Sequence, residues 1–215
     1  MTYNSVYEIT NPLTKVAEQR IIEDFSSNMT GNEPPNGWNL SNINGGTTGG
    51  TIYDSDADEG YKVNFSTQQY AWGGLTFNGK RTFDLNAVSF IVTVKRTFGS
   101  SSGGYWAGLS NVTSTNQNDT VAFSSNTGSR SNFHLFLKGG TTSATDSDIT
   151  VDDNWHTGKV ESRASSVSLS IDGVFKATVG TGMGSVKAQP SITAIDNSTD
   201  SGNSFSVRYF EAWNY

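Results

Sequence analysis

Apolar side chains recur at every second position over four long stretches of this chain. In residues 87–96, Val88, Phe90, Val92 and Val94 fall on one side, and Ser89, Ile91, Thr93 and Lys95 on the other. A period of two in β-branched and aromatic residues marks a strand with one face in a core. Residues 132–138 repeat it through Phe133, Leu135 and Leu137, and residues 165–172 through Val167, Leu169 and Ile171. Residues 204–213 form the last such stretch, with Phe205, Val207, Tyr209 and Trp213 expected on one face. Shorter runs at 61–66, 74–77, 105–109, 120–124, 155–161, 174–179 and 191–195 bring the expected strands to about eleven to thirteen. Asn78-Gly79 and Asp172-Gly173 read as hairpin turns, because these residues tolerate positive φ. Residues 41–50, 99–104, 111–118 and 139–147 are rich in Ser, Thr, Asn and Gly and are expected to be exposed loops.

Residues 1–20 break the pattern. Asn11-Pro12 suits a helix start, with Leu13, Val16, Ala17 and Ile21 on one face. The segment is expected to be either a docked arm or a loosely packed end. The remaining pattern predicts an all-β chain: a single two-sheet antiparallel sandwich over 21–215, preceded by the arm at 1–20.

Composition sharpens this picture. At 215 residues the chain suits one domain, and its hydrophobic fraction of 34% is low while aromatics reach 12%. The core is therefore expected to be built on rings. The absence of cysteine excludes disulfides, zinc–thiolate sites and thiol nucleophiles, and two histidines exclude a multi-histidine metal centre. A net charge of -6 without Lys/Arg clusters argues against nucleic acid. No apolar run is long enough to span a membrane, and the sequence starting at Met1 shows no signal-peptide pattern.

Three stretches together resemble the concanavalin A-like (laminin G/lectin/glucanase) jelly-roll superfamily. They are Ile21-Ile22-Glu23-Asp24-Phe25 followed by Trp38; Asp153-Asn154-Trp155-His156 leading to Val167–Phe175 around Asp172-Gly173; and Val207-Arg208-Tyr209-Phe210-Glu211-Ala212-Trp213. The resemblance implies the jelly-roll sandwich. It does not fix the activity, since that superfamily serves lectins, glycanases, lyases, adhesion modules and viral surface proteins.

The glycanases among them carry Glu-x-Asp-x-x-Glu on one strand. Among Glu8, Glu18, Glu23, Glu33, Glu59, Glu161 and Glu211 only Glu18 and Glu23 stand five apart, and Arg20 occupies the place of the Asp, so the motif is absent. Glu161 and Glu211 remain candidates to meet across strands, against the alternative that each bonds backbone or Arg208. For lyase chemistry, His134, His156, Tyr61, Tyr105 and Arg130 are available, but no spacing groups them. Gly99-Ser100-Ser101-Ser102-Gly103 lacks the strand–turn–helix setting of a nucleophile elbow. The run from Gly74 to Arg81 lacks the Ser/Thr of a phosphate loop. Asp54, Asp56 and Asp58 with Glu59 form the densest acidic segment, either a calcium loop or a solvated acidic one. Tyr70-Ala71-Trp72 and Tyr105-Trp106 set aromatic rings beside glycines, suited to stacking on sugars or to the core. His134 belongs with them, on the strand face opposite Phe133. Six Asn-x-Ser/Thr acceptors, at Asn28, Asn39, Asn64, Asn111, Asn118 and Asn197, mark only a hydroxyl-rich composition.

The resulting expectation is a non-catalytic, lectin-like surface module at an extracellular or virion surface. Its expected ligand-binding residues are Tyr70, Trp72, Tyr105, Trp106 and His134, with Asp54, Asp56 and Asp58 as the possible calcium ligands. The arm is expected to attach to a capsid or other structural protein, and the chain to form a homo-oligomer. The alternative is a secreted carbohydrate-binding module or a polysaccharide-cleaving glycanase or lyase.

Overall fold

The computed structural model describes residues 19–25, 34, 37–40, 51–56, 60–65, 71–77, 79, 83–97, 103–113, 116–125, 131–139, 141–180, 182–196 and 203–215. Side chains are described in these segments except at 51–56, 71–72, 112–118 and 141–143. The expected arm helix lies outside the described residues. No helix among them is long and apolar enough to cross a membrane.

Among the described residues sixteen strands, numbered in chain order, form two eight-stranded antiparallel sheets. The first sheet contains β1 (Arg20–Asp24), β3 (Thr51–Asp56), β4 (Gly60–Phe65), β7 (Ala87–Thr97), β12 (His156–Arg163), β13 (Ser166–Ile171), β14 (Val174–Val179) and β16 (Ser204–Asn214). Its order is β14-β13-β12-β7-β16-β4-β3, with β1 paired to the other half of β16. The second contains β2 (Asn39–Leu40), β5 (Ala71–Thr76), β6 (Phe83–Asp84), β8 (Gly103–Thr113), β9 (Asn116–Ser125), β10 (Asn132–Gly139), β11 (Thr141–Thr150) and β15 (Lys187–Asp196). Its order is β11-β10-β9-β8-β15-β5-β2, with β6 on the end of β15.

The alternating positions meet between the sheets. Val88, Phe90, Val92 and Val94 from β7, Val167 and Leu169 from β13, and Leu135 from β10 are all buried. Rings knit the layers. Tyr105 lies 5.0 Å from Phe205, and Trp38 makes edge contacts with Phe25, Phe77 and Phe210 at 5.4–5.6 Å. Edge-to-face geometry suits the ring quadrupole, so the rings pack densely among the Val, Leu and Ile side chains of the core.

Four local expectations need correction. In β16 the register slips between Val207 and Tyr209, a bulge at Arg208. Phe205 and Val207 face the core as expected, but after the bulge Phe210 and Ala212 do, and Tyr209 and Trp213 turn outward. The polar stretch 139–147 is mostly edge strand β11, and much of 111–118 extends β8 and β9. The acidic segment is not a loop at Asp54 and Asp56, which sit in β3 opposite Lys62 and Gly60. Gly79 does take a positive φ of 69°, but β5 and β6 both pair with β15, so the turn joins no hairpin. The Asp172-Gly173 turn is as expected: both residues have positive φ, 51° and 81°, and they join β13 to β14.

Candidate functional site

The outward face of the second sheet gathers the aromatic and hydroxyl side chains. Register sets its rows. One runs Gly74–Thr193–Trp106–Ser124–His134 across β5, β15, β8, β9 and β10. The next runs Thr76–Ser191–Gly108–Ala122–Phe136. Trp106 on β8 and Phe136 on β10 are both half-buried, and their rings meet at 6.1 Å and 67°. Strand β9 lies between them, so the rings close above it. Ala122 and Ser124 beneath are small enough to allow this, and both are buried. The result is an aromatic wall two strands wide, about 10 Å by the usual strand spacing.

Beside this wall the sheet is lined with hydroxyls. Ser110 and Thr120 share a 2.8 Å hydrogen bond, Ser191 and Thr193 lie 3.4 Å apart, and the Ser124 hydroxyl donates to the Tyr105 carbonyl at 2.7 Å. Among the described residues charge lies at the margins: Lys138 on β10 and Asp146 on β11, opposite His134, at one flank, and Lys187 of β15 with Asp84 of β6, 3.4 Å apart, at the start of β15. The tilted ring pair offers ring faces for stacking, and the hydroxyls beside it, all buried, form a neutral floor.

The expected site residues separate. Trp106 stands on this face. His134 shares its row but is fully buried, with Nδ1 3.4 Å from the Asn132 carbonyl, so it supports the floor rather than meeting solvent. The Cα of Trp72 pairs with Ile195, two residues along β15 from Thr193. Tyr105 points the other way, into the core against Phe123 and Phe205, and is 1% exposed. Alternation along β8 puts one member of the Tyr105-Trp106 pair inside and the other outside, and Ala107 and Leu109 assign Tyr105 to the inside. Tyr61, the other lyase candidate, is also core, and Tyr70, Asp58 and Arg130 lie outside the described residues. Sequence reasoning missed the pairing of Phe136 with Trp106. Their shared parity was legible, but the β9 strand between them was not assigned to a position.

Carboxylates lie elsewhere. All three glutamates among the described residues are on the first sheet: Glu23 on β1, Glu161 on β12 and Glu211 on β16. Glu161 and Glu211 do share that sheet's outward face, with β7 between them. Each is engaged by a cation. Lys159 lies 3.0 Å from Glu161. Arg20, not Arg208, donates to Glu211 at 2.6 and 2.9 Å, and the Tyr209 hydroxyl donates to its other oxygen at 2.6 Å. Arg208 instead lies over the Trp155 ring, 4.2 Å from its centre. Burial and the bond to Glu211 hold the Tyr209 phenol above its ordinary pKa. Among the described residues, no three His, Asp or Glu side chains are placed to hold a metal ion.

His156 completes the inventory at the loop end. Its Nδ1 meets Asp172 at 2.7 Å and its Nε2 meets Asp152 at 2.9 Å. Burial disfavours the charged ring, but the two carboxylates outweigh it and hold the pKa above the imidazole value. Both nitrogens then donate, and the ring acts as a charged clamp between β12 and the β13–β14 turn.

No family profile and no curated protein sequence matches the chain. Solved structures do match. The Emp47p carbohydrate recognition domain aligns at TM-score 0.62 and 12% identity, over 90% of this chain and 94% of that one. The apo Crh5 transglycosylase aligns at 0.64 and 14%, over 91% and 84%. A beta-1,3-glucanase from Mycobacterium marinum aligns at 0.62 and 10%, over 88% and 97%. At these identities the likeness is one of architecture: the chain has the concanavalin A-like jelly-roll fold.

Proposed function

We propose that this chain is a non-catalytic carbohydrate-binding module that takes a neutral glycan on the outward face of its second sheet. The observation that carries the reading is the Trp106–Phe136 wall standing beside neutral hydroxyl rows. Sugars offer an apolar ring face for stacking, and the neutral floor of buried Ser and Thr sets no charge against them. A hydrolase of the two-carboxylate type needs an acid and a nucleophile or base roughly 5–10 Å apart in its groove. The described glutamates lie on the other sheet, which favours binding over cleavage. Likeness to a carbohydrate recognition domain supports the same reading, and likeness to a transglycosylase and a glucanase supports the cleaving alternative equally.

The finer reading is display at an extracellular or virion surface as a homo-oligomer, with the arm at residues 1–20 reaching a capsid or other structural partner. It is supported by the cysteine-free, hydroxyl-rich, weakly acidic composition alone. Calcium at Asp54, Asp56 and Asp58 belongs to the same proposal. A glycan array probed with and without calcium, alongside Trp106→Ala and Phe136→Ala, tests the binding. Each variant is expected to lose tenfold or more in affinity, about 1.4 kcal/mol, with its melting temperature nearly unchanged. Release of new reducing ends from a bound polysaccharide by the wild-type protein would replace binding with cleavage.

A further inference from the structure

Glu23 sits where a carboxylate is least expected. It occupies an inward position of β1 between Ile21 and Phe25, both in the core, and is itself 8% exposed. Its partner across the ladder is Phe210, another core ring. The charged and titratable groups around it do little to receive a negative charge. Asp24, next along β1, repels it. The Trp38 indole N–H favours the anion but completes no hydrogen bond, and the Tyr61 ring lies 6.4 Å from Phe25. On β16, Tyr209 and Glu211 belong to the opposite face, where Glu211 holds the Arg20 guanidinium. Burial outweighs the nearby indole, and with Asp24 it pushes the Glu23 pKa up to about 7.

The strand that carries this group is short and lies off the sheet's main path. It has five residues and, among the described residues, pairs only with β16, opposite Tyr209–Trp213. Its ends are tied by Gln19 and Asn214, which exchange bonds of 2.7 and 3.1 Å, and by the Phe25 N–H donating to the Arg208 carbonyl at 2.9 Å. An ionised carboxylate between the sheets must find water, and lifting one short strand provides it by breaking one ladder.

We propose that β1 is a pH-released latch: it stays docked while Glu23 is protonated, and ionisation of Glu23 drives it off β16, freeing the start of the chain from the sandwich. The sign follows from proton binding. Between the unfolded value near 4.5 and the folded value near 7 the docked strand holds a proton that the released strand does not. Docking therefore weakens as pH rises across that window and levels off above it. A shift of this size changes the opening equilibrium by roughly a hundredfold.

Hydrogen exchange of the full chain from pH 4.5 to 8, corrected for the intrinsic pH dependence of exchange, tests the latch. Amides of β1 are expected to lose roughly a hundredfold in protection across the window, while those of β13 change little. Glu23→Gln, neutral at every pH, is expected to keep β1 protected throughout. Arg20→Gln, which alters only the outward contact, is expected to retain the pH dependence. Protection of β1 that is flat in the wild type, a dependence that survives in Glu23→Gln, or a parallel loss in β13 would each overturn the proposal.

Discussion

A methyl group on Gly158 would sit 2.4 Å from the Phe123 ring, at the base of that ring where it cannot swing aside. Gly158 faces inward on β12, and its missing side chain is the space that Phe123 fills from β9 of the other sheet. Phe123 in turn packs against Tyr105 and Phe133. Gly158→Ala is therefore expected to destabilise by about 1–3 kcal/mol, the usual cost of overpacking, read as a lower midpoint in denaturant with an unchanged slope. Single residues were legible in the sequence where a neighbour fixed their parity. Phe90, Leu135, Leu169 and Val207 were placed in the core by alternation, and all are buried. Gly158 was not legible, because its role is set by a ring on a strand of the opposite sheet. Tyr105 was misplaced for a different reason. A ring beside glycine suits a sugar platform or a core equally unless the parity of Ala107 and Leu109 on its own strand is applied to it.

The β13–β14 hairpin shows how one turn can carry a charge clamp. Positive φ at Asp172 and Gly173 closes the turn, and Asp172 then accepts from the Thr157 N–H at 2.8 Å and meets His156. A raised His156 pKa means the stabilisation is fully present below about pH 6.5 and fades as pH rises through the folded value. Asp152 shifts downward: burial opposes this, but bonds from Asn154 and His156 prevail, so its share is lost as pH falls through its folded value. His156→Gln is expected to cost about 1 kcal/mol at pH 6 and much less at pH 9, measured by urea unfolding at both. An equal cost at both would show that shape, not charge, holds the turn. The turn itself was plain in the sequence as Asp-Gly. The bulge at Arg208 was not, since an extra residue in a ladder leaves no mark in an alternating pattern until the partner strand is known. Strand β11 was missed because an edge strand made of Thr, Ser and Asp has no buried face to announce it.

Across the whole molecule the two outward faces differ in kind. The first sheet shows paired charges, Lys159 with Glu161 and Arg20 with Glu211, around half-buried Ile91 and Trp213. The second shows rings and hydroxyls, with its described charges at the margins, on the β10–β11 flank and in the Lys187–Asp84 pair at the start of β15. Net charge of -6 gives no attraction to anionic ligands, so a neutral glycan fits the second face by chemistry rather than by long-range steering. The two-sheet plan was readable from periodicity because a sandwich imposes the same rule on every strand. The site was readable only in part, because it depends on which strands lie side by side. The most direct test is an amide and indole NMR titration with a neutral oligosaccharide chosen from the array. The account expects shifts at the Trp106 indole and at Phe136, Ser110 and Thr193, with Lys159, Glu161 and Trp213 unmoved. Shifts centred on the first sheet, with Trp106 silent, would contradict it.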